Sequence, residues 1–344
     1  MIINVPNAED FTRTGSDLLN LGWSQADSLL AALNDFEHDA SSENDGLGPP
    51  AIPAPKPETD EERRERQREY WSAADRALAN AITIAHQGIE FLLKGRIALI
   101  SPYLLIVQEP RDWPRPDENG NLDFSQFRTI DAIHLPKICE AVSEEKFPSA
   151  LRNEYDRLRS LRNRVMHSVG KIDLEVAHLF SIVLRFYKFL FPSASWFVSR
   201  RRHLENSQDS VLYSSDWVES QLIREAVRLI DSLSPAACKE LLGFDKSRRR
   251  YLCPYCDHES TSLYGPRAYF CQFPSREKNQ AQLKCLLCPD PILVERKPCR
   301  EKDCRGDVIW PDDQICLTCG EGQIQPPLPD PIVYDSSPPP AKDD

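Results

Sequence analysis

Residues 151–170 read LRNEYDRLRSLRNRVMHSVG. Turned at about 100° per residue, this stretch puts Leu151, Tyr155, Leu158, Leu161, Val165 and Val169 on one stripe. The spacing predicts a helix over about 148–168 with one face against a core or a partner. Gly170 is a good stop for it. Arg162 falls inside the stripe, beside Leu158 and Val165, while Asn163 and His167 lie four apart on its flank. A buried guanidinium is costly unless an acid, carbonyls or a bound anion meets it. Glu90, on the flank of the long helix before it, is the acid expected to do so. The plainer reading is therefore an Arg162–Glu90 ion pair tying two helices, with His167 beside a helix C-terminal dipole. The chemical reading is phosphodiester cleavage without a metal. RNA carries its own nucleophile, the ribose 2′-OH; a histidine takes or gives the proton; a fixed arginine fork stabilises charge on two phosphoryl oxygens. Asn163 would orient the imidazole or hold a phosphate oxygen. One His and one Arg make a thin site, so a symmetric dimer bringing two copies together would complete it.

Outward from this stretch the chain reads as mainly helical. In 1–37 the periods suggest two short helices split at Gly22, with Ser24 capping the second. Residues 38–58 are rich in Pro, Gly, Ser and acid and read as a linker. A long amphipathic helix starts near Thr59 or Asp60, runs through Leu78, Ile82, Ala85, Ile89, Leu93 and Ile100, and is closed by Pro102. Residues 108–127, with three prolines and the turn ENGN, form a loop. Further helices are expected over 128–142, 172–191, 194–206, 215–233 and 235–242. From 251 the helical periods give way to cysteines, prolines and short β-prone runs such as RAYF and DVIW. The tail 325–344 is acidic and proline-rich, which predicts an extended or disordered segment.

The length fits two or three domains. The formal net charge of −11 denies the molecule a global positive field, so any nucleic-acid contact must use local patches such as SRRRH (199–203) or KSRRR (246–250). Each is as easily a solvated helix end. No apolar run reaches about 18 residues, and MIINVPNAEDF lacks the layout of a secretory signal. A cytoplasmic protein without membrane partners is the default expectation. The phosphate-binding GxxxxGK[ST] loop, a GxGxxG after a strand, the GxSxG elbow and HExxH are all absent, which removes the common nucleotide-dependent, dinucleotide-dependent and metalloprotease readings.

Nine of the eleven cysteines fall between 253 and 319. CPYC (253–256) and CLLC (285–288) form one pair of knuckles; CREKDC (299–304) and CLTC (316–319) form another. Each knuckle can place two thiolates on a tetrahedral ion, and four thiolates leave no open position, so these sites are structural. The simplest expectation is two zinc ribbons in tandem. One Zn²⁺ would sit on Cys253, Cys256, Cys285 and Cys288, the other on Cys299, Cys304, Cys316 and Cys319. An interleaved pairing remains open, as does a place for Cys271 or His258 among the ligands. Lys284, Arg296, Lys297, Arg300, Lys302 and Arg305, with Tyr264, Tyr269, Phe270, Phe273 and Trp310, suit single-stranded nucleic acid. The same aromatics could instead fill a core too small to stand without metal, and Asp303, Asp307, Asp312 and Asp313 weigh against pure phosphate binding.

RNRVMH at 162–167 fits RNxxxH, and over about 70–192 the chain resembles the HEPN superfamily. AHQGIEFLLKGRI (85–97) looks like that family's first long helix, RTIDAIHLPKICEAV like the short helix before the motif, and YDRLRSLRNRVMHSVGK like the motif helix. The resemblance implies an up-and-down helical bundle, placed at 59–192; the helical periods add further helices over 193–250, and the cysteine spacing a zinc-ribbon region over 251–324. It implies a metal-independent endoribonuclease with Arg162 and His167 as catalytic pair, Asn163 in support, and a homodimer through the helical domain; Glu90, from the residue reading above, is a further supporting candidate. Products would carry 2′,3′-cyclic phosphate and 5′-hydroxyl ends. A toxin–antitoxin or antiviral-defence role follows from the same resemblance, with an inhibitory or activating protein partner; that the acidic N-terminal segment restrains the enzyme is an expectation from its charge and linker composition alone. Many members of the superfamily bind or scaffold instead, so a non-catalytic HEPN and zinc-ribbon interaction protein is the alternative.

Overall fold

A computed structural model describes residues 1–41, 59–144, 146–167, 174–213, 216–259, 266–277 and 280–323, with the backbone alone for 36–41 and His167. The linker expected over 38–58 does not begin at 38, since 38–41 are still helical; its remainder, Val169 with Gly170 and the tail 325–344 lie outside the described residues. The chain divides into two compact units. One comprises Met1–Arg249 with Tyr255–Arg267 and Leu286–Pro289; the other comprises Arg250–Pro254, Ala268–Cys285 and the chain from Asp290 onward.

The first unit is helical, with α1 (Ala8–Ser41), α2 (Asp60–Ala98), α3 (Leu135–Val142), α4 (Ser149–His167), α5 (Val176–Leu190), α6 (Trp196–Glu205), α7 (Gln208–Leu212), α8 (Trp217–Ser232) and α9 (Pro235–Leu242). Thr59 caps α2 in a reciprocal box: its hydroxyl accepts from the Glu62 amide, and Glu62 accepts from the Thr59 amide. Leu78, Ile82, Ala85, Ile89 and Leu93 are all buried, as the spacing predicts. The helix ends at Ala98, four residues ahead of Pro102, which opens a short 3₁₀ turn of its own, so Ile100 is not part of the buried stripe: it lies past the helix end and is exposed.

Two helices split at Gly22 are not what forms. α1 is continuous from Ala8 to Ser41 and lies antiparallel along α2. Gly22 is inside it because a Cβ there would stand 3.0 Å from the Ala81 carbonyl oxygen and the Ala85 amide nitrogen. Gly15 and Gly88 meet in the same way, each blocking a Cβ on the other at 2.9 Å. Glycine weakens an exposed helix, but here it lets two backbones touch. Ser24 caps nothing; its hydroxyl accepts from Arg200. Trp23 is buried with its ring 4.2 Å from Phe180 and 4.8 Å from Trp196. The N-terminal segment is thus part of the core, and a truncation at Glu58 would remove a core helix.

The helix expected over 128–142 is shorter. Ile106 bridges Thr129, which holds that stretch extended, and α3 starts at Leu135 with Pro136 in its first turn. α4 follows as expected, with Leu151, Tyr155, Leu158 and Leu161 buried and Val165 half-buried. The loop 108–127 adds a parallel pair, β1 (Ile2–Ile3) with β2 (Leu122–Asp123). No described helix is long and apolar enough to cross a membrane.

The cysteine-bearing region holds α10 (Pro254–Glu259) and two antiparallel sheets of three strands. The first is β3 (Cys271–Gln272), β4 (Gln282–Cys285) and β5 (Pro291–Leu293). The second is β6 (Glu295–Arg296), β7 (Val308–Trp310) and β8 (Ile315–Cys316). DVIW forms β7 as expected. RAYF does not form a strand; pairing begins one residue later, at Cys271.

Candidate functional site

The last turn of α4 carries the Arg–Asn–His motif. Arg162 Nη1 donates to Asn163 Oδ1 at 2.9 Å. Its Nη2 stands 3.9 Å from Glu90 Oε1 on α2, so the expected acid is the right one but the approach is long. The guanidinium is not shut in the core: its side chain keeps 37% of its exposure, against 14% for Glu90. The backbone of His167 completes the helix, while its side chain lies outside the described residues.

Around Glu90 the site is crowded with polar groups. His86, one turn earlier on α2, puts Nδ1 3.1 Å from Glu90 Oε1 without hydrogen-bond geometry. Lys94, one turn later, donates to Thr129 Oγ1 at 3.3 Å. Burial lowers the Lys94 ammonium below its ordinary range, and Glu90 works against that shift. Tyr155 donates to the Ala132 carbonyl at 2.9 Å and packs its ring on His86. Burial pushes the Tyr155 phenol up, and Glu90 adds to it. The arrangement is a guanidinium at the edge of a buried acid, with part of its fork unspent among the described residues.

The cysteines gather in the two quartets the spacing predicts. Cys253, Cys256, Cys285 and Cys288 bring their sulfurs within 4.8 Å of one another, as do Cys299, Cys304, Cys316 and Cys319. An ion about 2.3 Å from each of four thiolates sets Sγ···Sγ near about 3.8 Å. Cys299–Cys319 at 3.8 Å and Cys304–Cys316 at 3.9 Å fit that edge. Cys256–Cys288 at 3.2 Å is tighter and would open on binding. The second quartet has supporting donors: the Gly306 amide reaches Cys304 Sγ at 3.3 Å, and Gln323 Nε2 reaches Cys299 Sγ at 3.4 Å. Such N–H groups stabilise thiolate charge. Gly306 is required there, since a Cβ would meet Thr318 at 2.6 Å and Cys316 Sγ at 3.0 Å. Each quartet can hold a metal ion. The interleaved pairing does not occur, and exposed His258 is in neither set. Cys271 is outside the first quartet but pairs with Cys285 across the sheet. The neighbouring Cys253 and Cys285 thiols, together with burial, push its thiol up.

The basic and aromatic residues of this region are partly spent on the protein itself. Arg296 pairs with Asp307 and lies over the Phe273 ring at 5.0 Å. Lys297 donates to Gln314 Oε1 at 2.6 Å, and Arg300 donates to the Gln323 carbonyl at 2.7 Å. Phe270 is buried, and the Tyr269 hydroxyl reaches the Thr318 carbonyl at 3.5 Å. Lys284, Lys302 and Arg305 remain exposed, while Tyr264 lies outside the described residues. SRRRH is no surface patch: Arg200 is 2% exposed and bound to Glu225, and Arg201 pairs with Glu219 at 2.6 Å. The residue missed from sequence is His86. Its one signal was a histidine on the Ile82–Ile89–Leu93 face of an apolar helix.

Comparison with protein-family models, with curated proteins and with solved structures found no match.

Proposed function

We propose that this chain is a metal-independent endoribonuclease of HEPN type, with two structural Zn²⁺ ions in its cysteine quartets. The observation that carries the reading is Arg162: half-exposed, bonded to Asn163, and met by Glu90 only at 3.9 Å. A guanidinium so loosely engaged keeps donors for a phosphate. In the proposed step the ribose 2′-OH attacks the adjacent phosphorus and the 5′-oxygen leaves. His167 takes the 2′-OH proton, Arg162 stabilises the phosphoryl oxygens, and the 5′-oxygen leaves with a proton from the partner subunit's His167 in a homodimer. The quartets supply no reacting atom; four thiolates fill the ion's coordination. They shape a surface whose exposed Lys284, Lys302 and Arg305 suit RNA phosphates. Action in the cytoplasm as a toxin or defence effector, under a protein partner's control, belongs to the same proposal.

The test is total RNA incubated with wild type and His167→Ala after brief EDTA treatment, with folding checked. Fragments ending in 2′,3′-cyclic phosphate from wild type alone are expected. Intact RNA with both proteins, or equal cleavage by both, would end the proposal. For the ions, metal analysis should give about two zinc per chain, and prolonged chelation should unfold the cysteine-rich unit while helical circular dichroism persists.

One observation favours a second reading, a non-catalytic scaffold: Arg162 does join α4 to Glu90 on α2. If Arg162→Ala unfolds the helical unit, that reading is preferred.

A further inference from the structure

His86 sits inside α2, fully buried, with neither ring nitrogen hydrogen-bonded among the described residues. Ile82 and Ile89, one turn either side on the same helix, are buried as well, and the Tyr155 ring on α4 is 5.2 Å away. Leucine would fill such a place without desolvating two polar atoms, so packing alone does not explain an imidazole. Its Nδ1 points the other way, to a distance of 3.1 Å from Glu90 Oε1. That oxygen is itself buried with no hydrogen bond among the described residues, and it is the same atom that stands 3.9 Å from Arg162 Nη2. One carboxylate oxygen therefore lies between an imidazole and a guanidinium. Lys94, the other cation one turn from Glu90, turns instead to Thr129.

We propose that His86 is a positioning residue for Arg162, acting through Glu90. A small rotation of the carboxylate closes Nδ1–H···Oε1 and fixes Glu90 on α2. Glu90 then holds one side of the guanidinium while Asn163 holds the other, so that the remaining N–H groups point at one place. The inference rests on the ribonuclease reading of the Arg162 site, and it adds the group that keeps the arginine in register between two helices.

His86→Asn and His86→Leu separate this role from packing. Asparagine places an amide N–H near the position of Nδ1; leucine fills the volume and donates nothing. RNA cleavage by His86→Leu is expected to fall about a hundredfold in kcat with KM little changed, and His86→Asn is expected to recover most of the loss. Leucine cleaving like wild type, or asparagine doing no better than leucine, would overturn the role. ¹⁵N spectra of the His86 ring give a readout that needs no cleavage and so stands even if the ribonuclease reading fails. The Nδ1 signal should move in Glu90→Gln and again in Arg162→Ala. A signal unmoved in both would overturn the proposal even if wild type cleaves RNA.

Discussion

Arg200 and Arg162 stand on helices of one unit and are held in opposite ways. Arg200 is sealed between α1, α6 and α8. Its Nε and Nη2 both reach Glu225 at 2.8 Å, Nη2 also reaches Ser24 Oγ at 2.8 Å, and Nη1 reaches the Asn20 carbonyl. Arg228 repeats the pattern with Asp27, at 2.9 and 2.5 Å. Among the described residues Arg162 has one neutral partner, one distant acid and a partly exposed side chain. Arg200 and Arg228 each meet a carboxylate with two donors in the core, whereas Arg162 meets its acid with one, at 3.9 Å. The contrast sets a sealed arginine beside a loosely held one, and the proposed ribonuclease reading uses the loosely held one.

Arg200→Ala should show the largest effect. Breaking a buried pair strands Glu225, and a loss of about 3–5 kcal/mol is expected, read as a lower urea midpoint at unchanged slope. A loss below about 1 kcal/mol would erase the contrast. Gly22→Leu comes next. It forces a side chain into the α1–α2 contact and should cost about 1–3 kcal/mol, again measured by urea. Thr59→Ala removes one half of the capping box and should cost about 1 kcal/mol, seen as a slightly lower melting temperature. Arg162→Ala should change stability least, by about 0–1 kcal/mol, and abolish RNA cleavage. If it instead destabilised the fold as Arg200→Ala does, the two arginines would be alike.

Sequence and structure agree where the signal is local. The stripes of α2 and α4, the Thr59 cap and the cysteine quartets all depend on residues a few positions apart or on ligand chemistry that admits few pairings. The Arg162–Glu90 pair was legible because an arginine on an apolar stripe demands an acid. Disagreement arises where a distant segment decides. Gly22 reads as a break until α2 supplies the backbone it touches. SRRRH reads as a surface patch until Glu225, on a later helix, turns Arg200 inward. His86 gave no sign of its contact with Glu90 because an i,i+4 pair on a helix is common, and only burial without other partners sets this one apart.

The most direct measurement is the single-turnover rate of RNA cleavage by Arg162→Lys against wild type, with unfolding followed in parallel. Lysine keeps the charge that a tie to Glu90 needs and loses the planar fork that a phosphate needs. A chemical arginine predicts an intact fold and a rate lower by about a hundredfold or more. A rate equal to wild type, or no cleavage by wild type itself, would contradict the account and leave Arg162 as a helix tie like its buried counterparts.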